Sequence, residues 1–325
     1  MLLTGLVVFS LAGVACAATT SLTVLVAFRF VQGTGAAAGT VIARAMVRDT
    51  HEGSAAARLF ATMMAVLAIA PMVAPLIGGI LLTHLGWRAI FTTLAVFGVG
   101  LTSMTVLSLE ETLPERKPFS FAAIAPGFAR FVRTKEAPRP ALVIALGFAA
   151  QFAFISGSPF VLIGGYQVKP AHYGFYFGAT ALALMAGSAT GARLLKGGTP
   201  RRVVRIGGAV LLGAALLLLA LVHAPWSGVL GLMAPVLGCF FGLGLVGPSA
   251  AAMAMDPVPD IAGTASAIIG FLQMTAGSLS GYVVAKVGGE SPQALGWQMA
   301  LLAAASAMVI FLGLTPRRAG QAAAA

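Results

Sequence analysis

The sequence predicts an all-α membrane protein with ten spanning helices, divided four and six by one long polar loop. Three observations carry that expectation. Of the 325 residues, 59% are hydrophobic and only 9% charged, whereas a soluble domain carries roughly a quarter charged residues. Apolar runs close to the ~20 residues that cross a bilayer recur ten times along the chain. Each run is continuously apolar, without the two-residue alternation of a membrane barrel.

The runs fall at about 2–19, 22–46, 59–83, 89–109, 140–164, 175–195, 203–223, 226–253, 261–285 and 295–314. The first also imitates a secretory signal, with Ala15-Cys16-Ala17 resembling a cleavage site. No basic residue precedes it and many runs follow it, so a retained helix is the better reading. The second run carries Arg29, and the third contains Pro71 and Pro75. After the fourth, residues 110–139 hold Pro114, Pro118, Pro126 and Pro138 with charges of both signs. Within that stretch Phe119, Phe121, Phe128 and Phe131 suit one side of a short helix lying on the membrane surface.

Six further runs complete the chain. The expected organisation is an N-terminal bundle of four spans over 1–109 and a central cytoplasmic loop over 110–139. A C-terminal bundle of six spans over 140–316 and a cytoplasmic tail over 317–325 follow. Carriers built from two parallel six-span halves are a known architecture, so four before the loop and six after it imply two spans upstream of the first. A weak repeat fits that alignment: Gly53-Ser54-Ala55-Ala56-Ala57 returns 210 positions later as Gly263-Thr264-Ala265-Ser266-Ala267. Gly78-Gly79 and Gly288-Gly289 keep the same offset.

The net charge of +11 does not describe a nucleic-acid surface, because the basic residues stand in short clusters between apolar runs. Sixteen of the 20 lysines and arginines fall on one side of the alternating connections. Arg29, Arg88, Lys169 and Lys286 are left for the other. The basic side is the cytoplasmic one by the positive-inside rule, and an even number of spans places both termini there.

Side chains able to do chemistry are few. Cys16 and Cys239 lie inside apolar runs, and His51, His84, His172 and His223 are scattered without ligand spacing, so no metal site is expected. No phosphate-cradling loop or Ser/His/Asp pattern appears; neither an enzyme nor a cofactor is implied. All nine acids lie in loops or at helix ends, although a proton- or cation-coupled carrier usually places a carboxylate within the membrane.

Arg29 stands near the start of an apolar span, followed by Gln32, Gly33 and Gly35. Two readings stand for it: a cavity charge responding to proton or substrate, or an anchor snorkelling to the interface. Pro71, Pro75, Gly78 and Gly79 share one span. They describe either a kinked seam used in a conformational change or only a kinked, tightly packed helix. Gln151, Phe152, Phe154, Ser156, Ser158, Pro159 and Phe160, with Gln273, mix aromatic and polar groups. They suit a cavity wall for an amphiphilic ligand, or hydrogen bonding between helices.

These stretches resemble the Bcr/CflA drug-resistance branch of the major facilitator superfamily. The matching segments are Arg29 to Ala37, Ala43 to Asp49, Pro71 to Gly79, Gly86-Trp87-Arg88, Glu111-Thr112-Leu113, Ser158 to Val161 and Gly263 to Ala267 with Gly270 to Gln273. They occur in order along nearly the whole chain. The resemblance implies a major facilitator type two-bundle helical fold in the bacterial inner membrane. It also implies a monomeric secondary transporter that exports small hydrophobic or amphiphilic compounds by alternating access, coupled to proton entry.

Under it, Arg29 matches the arginine of the fourth-helix motif associated with proton coupling, with Gln32, Gly33 and Gly35 in the same motif. Pro71, Pro75, Gly78 and Gly79 match the fifth-helix antiporter motif, with Ala74 where glycine often precedes the second proline. Arg44, Arg48 and Asp49 match a cytoplasmic loop motif. The chain begins where the family's third helix begins, so the expectation is a carrier without the first two helices and the acid they hold. The other reading is a non-transporting remnant of such a carrier.

Overall fold

The computed structural model describes residues 2–50, 53–108, 121–134, 136–224, 228–287 and 291–313, and no strand occurs among them. The helices in chain order are α1 Leu2–Ala18, α2 Leu22–Thr50, α3 Gly53–Leu85 and α4 Trp87–Ser108. There follow α5 Phe121–Arg133, α6 Pro138–Pro159, α7 Pro170–Leu195, α8 Pro200–Val222, α9 Gly228–Met255, α10 Ala262–Val287 and α11 Pro292–Met308. Two of them run on into a wider π turn, α6 through Phe160–Gly165 and α11 through Val309–Gly313.

Seven stretches of the described residues are long and apolar enough to cross a bilayer: Leu22–Gly39, Trp87–Ser108, Pro138–Gly165, Pro200–Val222, Gly228–Met255, Pro259–Val287 and Pro292–Gly313. Leu2–Ala18 and Val73–Leu85 are apolar but shorter.

Helix ends follow local chemistry more than apolarity. The Thr199 hydroxyl accepts from the backbone N–H of Arg202 at 3.3 Å, with Pro200 in the first helical position of α8. Ser291 does the same for Ala294 at 3.2 Å ahead of Pro292. Each side-chain oxygen satisfies one of the amides that a helix start leaves bare, and proline forfeits none there. Gly86 turns the chain between α3 and α4 at φ +79°, a left-handed conformation that only a residue without Cβ adopts freely. α3 continues through both of its prolines as unbroken helix.

The chain forms two compact units, Met1–Pro118 and Phe119–Ala325. In the first, α1 is central and packs along both α2 and α4, while α3 meets α2 and α4 more sparsely. The α1–α2 approach is backbone to backbone. A Cβ added to Gly35 would come within 2.6 Å of the Gly5 carbonyl oxygen and 2.7 Å of the Phe9 amide nitrogen. Such closeness lets dispersion hold helices together in lipid, where apolar burial provides no drive. Leu11, Val14, Val96, Phe97 and Met104 stand exposed on the outside, as lipid contact requires.

In the second unit, α9 packs between α7 and α8, α6 pairs with α10, and α11 lies against α6 and α8. Phe154, Leu211, Leu218, Leu232 and Met299 centre one buried cluster. Phe131, Val143, Val204, Val246 and Ile310 belong to another. α7 and α9 meet through Gly187 and Gly244: a Cβ on either would collide with the backbone carbonyl of Phe241 or Leu184 respectively. The short helix expected in the central loop forms as α5, but its aromatic residues divide. Phe131 is 1% exposed within the core, with α5 against α10, whereas Phe128 is 48% exposed. Phe119 and the side chain of Phe121 lie outside the described residues.

Candidate functional site

Residues three apart on a helix share a face, and α2 uses that spacing to join Arg29 to Gln32. The Arg29 Nη1 donates to the Gln32 Oε1 at 2.6 Å, and its guanidinium carbon lies 5.7 Å from the Phe91 ring centroid on α4. The two ends of this pair have opposite surroundings: Arg29 is exposed, while Gln32 is 1% exposed. With its oxygen taken by the guanidinium, Gln32 presents Nε2 to the interior, where it has no hydrogen-bond partner among the described residues. A buried amide donor left unmatched costs about 1–3 kcal/mol.

The room for that amide comes from α1 and α4. A Cβ on Gly13 would stand 3.0 Å from Gln32 Nε2 and 3.1 Å from the Ala95 Cβ. Three helices therefore converge on one donor-rich point, with a permanent positive charge at its outer edge. Such a point attracts oxygen acceptors and, among the described residues, carries no acid of its own. The other motif glycines differ from each other. Gly35 sits in the α1–α2 seam, and Gly33 meets nothing within 4 Å. A groove of about 550 Å³ lined by Thr4, Gly5, Val8, Thr34, Gly35 and Ile42 runs beside the seam, and neither Arg29 nor Gln32 lines it.

Pro75, Gly78 and Gly79 are half-buried on α3, and a Cβ on Gly78 would meet open space. The side chains of Pro71, Arg44, Arg48 and Asp49 lie outside the described residues, although their backbone continues α3 and α2.

The second-unit candidates divide between two faces of α6. Phe154 and Ser158 are fully buried. Phe154 meets Phe240 of α9 edge to face at 5.6 Å, and the Ser158 Oγ lies 2.9 Å from the Tyr173 hydroxyl of α7. Gln151, Phe152, Ser156 and Pro159 are half-buried, and so is Gln273 of α10. Phe152 and Ser156 look onto Gly277 and Gly281 of α10, where a Cβ would stand 3.1 Å from the Phe152 ring and 2.9 Å from Ser156 Oγ. Phe160 is 54% exposed at the start of the π turn.

Three polar members were not among the sequence candidates. Tyr173 closes the Ser158 contact. Ser280 of α10 donates to the Ala149 carbonyl at 2.7 Å, and Gln298 Nε2 of α11 donates to the Ser280 carbonyl at 2.8 Å. The run Pro170-Ala171-His172-Tyr173-Gly174-Phe175-Tyr176 has the same polar and aromatic mixture that singled out Gln151 to Phe160, and that mixture was the available signal.

Comparison with known proteins gives a consistent result. A sequence model of the family described as the Major Facilitator Superfamily matches residues 1–281. An uncharacterized MFS-type transporter of Bacillus subtilis, YdgK, is 33% identical over 321 residues, 96% of this chain and 78% of that protein. A bicyclomycin resistance protein homolog of Haemophilus influenzae is 28% identical over 88% of this chain and 72% of its own length. Multidrug resistance protein D of Escherichia coli is 28% identical over 97% and 78%. Among solved structures, a bacterial homolog of the human lysosomal transporter Spinster superposes with a TM-score of 0.70 at 16% identity, covering 96% of this chain and 79% of that one.

Proposed function

This chain belongs to the Major Facilitator Superfamily, and we propose that it exports small hydrophobic or amphiphilic compounds in exchange for protons by alternating access. It is a multi-pass membrane carrier and not an enzyme. Drug export as the task is supported by relatives named for bicyclomycin and multidrug resistance. We place it in the Bcr/CflA branch on the motif segments quoted above. The ten long helices act as spans, four over 1–109 and six over 140–316, around the central loop 110–139. Both termini and the 317–325 tail are cytoplasmic, and the carrier acts as a monomer in the bacterial inner membrane.

The observation that carries the reading is the Arg29–Gln32 pair, a guanidinium that shares its neighbour's amide while leaving a buried donor unmatched. A positive charge inside a span persists where it lines a water-filled path or meets a changing partner. In this reading Arg29 and Gln32 sense proton or substrate occupancy. Gly35 keeps α1 and α2 close, with Gly33 on the open side. Pro71, Pro75, Gly78 and Gly79 form the flexing antiporter segment, and Arg44, Arg48 and Asp49 the cytoplasmic loop motif. Gln151, Phe154, Ser158, Pro159, Phe160 and Gln273 belong to the substrate-binding half, the first and last as polar groups that orient the ligand.

Efflux of a fluorescent amphiphile from cells expressing this chain, with and without a proton uncoupler, tests the proposal. Export abolished by the uncoupler is the expected result. Export that survives it removes the coupling claim, and no export above the vector control favours the non-transporting alternative.

A further inference from the structure

The turn between α7 and α8 is a basic concentration outside the residues assigned above to transport. Arg193, Lys196, Arg201, Arg202 and Arg205 fall within 13 residues, and no Asp or Glu interrupts them. Arg193, Lys196, Arg202 and Arg205 are exposed and have no ion-pair partner among the described residues. Two adjoining cavities are built on them. One, of about 570 Å³, is lined by Thr199, Arg201, Arg202, Arg205, Ile206 and Ala209. The other, of about 230 Å³, takes Arg193 and Leu194 from α7 and shares Arg202 and Ile206 with the first.

We propose that this turn binds an anionic phospholipid, with its phosphate between Arg202 and Arg205 and an acyl chain laid along α8. The placement follows from α8 itself. Pro200–Val222 is one of the spanning stretches, so its first turn stands at the level of lipid headgroups. Arg202 and Arg205 are three apart, share a helix face, and line one cavity. Guanidinium groups grip phosphate oxygens in pairs. The first turn of α8 adds the positive end of the helix dipole.

Below the arginines the same exposed face becomes apolar. Ile206, Ala209, Gly213 and Leu216 follow at spacings of three and four, with Leu216 59% exposed and open space over Gly213. From Ile206 to Leu216 the helix rises about 15 Å, half the ~30 Å hydrocarbon core. One leaflet's acyl chain therefore spans this track while its phosphate lies among the arginines. A zwitterionic lipid brings its own cation into a site that already holds several and, among the described residues, has no carboxylate lining it, which selects for net negative charge. Free inorganic phosphate would satisfy the arginines and leave the apolar track bare.

The test uses the full chain purified in detergent and reads binding of phosphatidylglycerol and phosphatidylcholine by native mass spectrometry and by thermal stabilisation. Phosphatidylglycerol is expected to bind and stabilise the wild-type protein, and phosphatidylcholine to do so at least roughly tenfold more weakly. Arg202→Gln and Arg205→Gln should each lower phosphatidylglycerol affinity roughly fivefold, and the pair roughly 25-fold. Arg202→Lys with Arg205→Lys, which keeps the charge but loses the paired donors, should weaken binding roughly fivefold, less than the double Gln variant. Equal binding of the two lipids by the wild-type protein overturns the proposal, and so does unchanged affinity in the double Gln variant. Displacement of phosphatidylglycerol by millimolar inorganic phosphate overturns it too, assigning the site to a free anion. If the Gln variants do not fold, the wild-type ratio of the two lipids decides. Efflux plays no part in these readouts, so their failure is separable from failure of the transport reading.

Discussion

Arg29 and Gln32 lie one turn apart on α2, and the 2.6 Å bond between them commits the glutamine oxygen outward and its amide hydrogens inward. The pair is thus asymmetric, with an exposed charge at one end and an unmatched buried donor at the other. Replacing Gln32 by Leu removes the unmatched donor at similar volume. Stability should hold or rise by about 1–2 kcal/mol, while uncoupler-sensitive efflux should fall at least tenfold if the amide belongs to the transport cycle. Thermal unfolding in detergent and efflux from the same preparation of cells check both halves. Gln32→Leu that is destabilised yet transports normally contradicts the assignment.

Gly33 and Gly35 give a contrast within one motif. Gly35→Ala should destabilise by about 1–3 kcal/mol, because its methyl would enter the backbone of α1. Gly33→Ala, with nothing within 4 Å of its added Cβ, should be neutral or stabilise by up to ~1 kcal/mol through helix propensity. Melting temperatures of the two variants, measured side by side, should move in different directions.

Ser158 and Tyr173 tie α6 to α7 through one buried contact of 2.9 Å. Ser158→Ala and Tyr173→Phe should each lower stability by about 0.5–1.5 kcal/mol. The double variant should show a coupling near the ~0.6 kcal/mol typical of hydrogen bonds between membrane helices. A double-mutant cycle by chemical unfolding in mixed micelles measures it, and strict additivity would show that the two hydroxyls do not interact.

Phe154 and Phe160 lie six positions apart on α6 and its π turn, but in different surroundings. Phe154→Ala should cost about 3–5 kcal/mol, since it empties a buried site against Phe240. Phe160→Ala, at a 54% exposed position, should stay within about 0.5–1 kcal/mol. Expression level and melting temperature of the two variants distinguish them.

Much of the helical layout was legible in the sequence because lipid demands long apolar runs, and such runs need no tertiary information to find. Their ends were less legible. The third apolar run begins near 59, yet α3 starts at Gly53, and α7 starts at Pro170 rather than 175. Prolines at the first helical position set the starts of α6, α7, α8 and α11, and Gly86 follows the end of α3; hydropathy registers neither. Arg29 and Gln32 could be paired from spacing alone. Phe91 and Gly13, which complete their surroundings, come from α4 and α1, and no local pattern connects them. The stretch Gln151 to Phe160 was recognisable as polar and aromatic, but which of its side chains face α7 and α9 and which face α10 depends on the packed bundle. The same reason hid Tyr173 and Gln298.

The glycine contact between α7 and α9 has a thermodynamic consequence. Where Gly187 and Gly244 bring backbone against backbone, these two residues have no rotamers to lose when the helices dock. Their share of the association is short-range dispersion, which decays steeply as the surfaces part, beside the hydrogen bond that the Gly244 carbonyl accepts from Ser188 at 3.2 Å. Warming should therefore loosen it less than it would a contact between long, flexible side chains. A single methyl group at either position should separate the helices abruptly, because nothing there can bend out of the way.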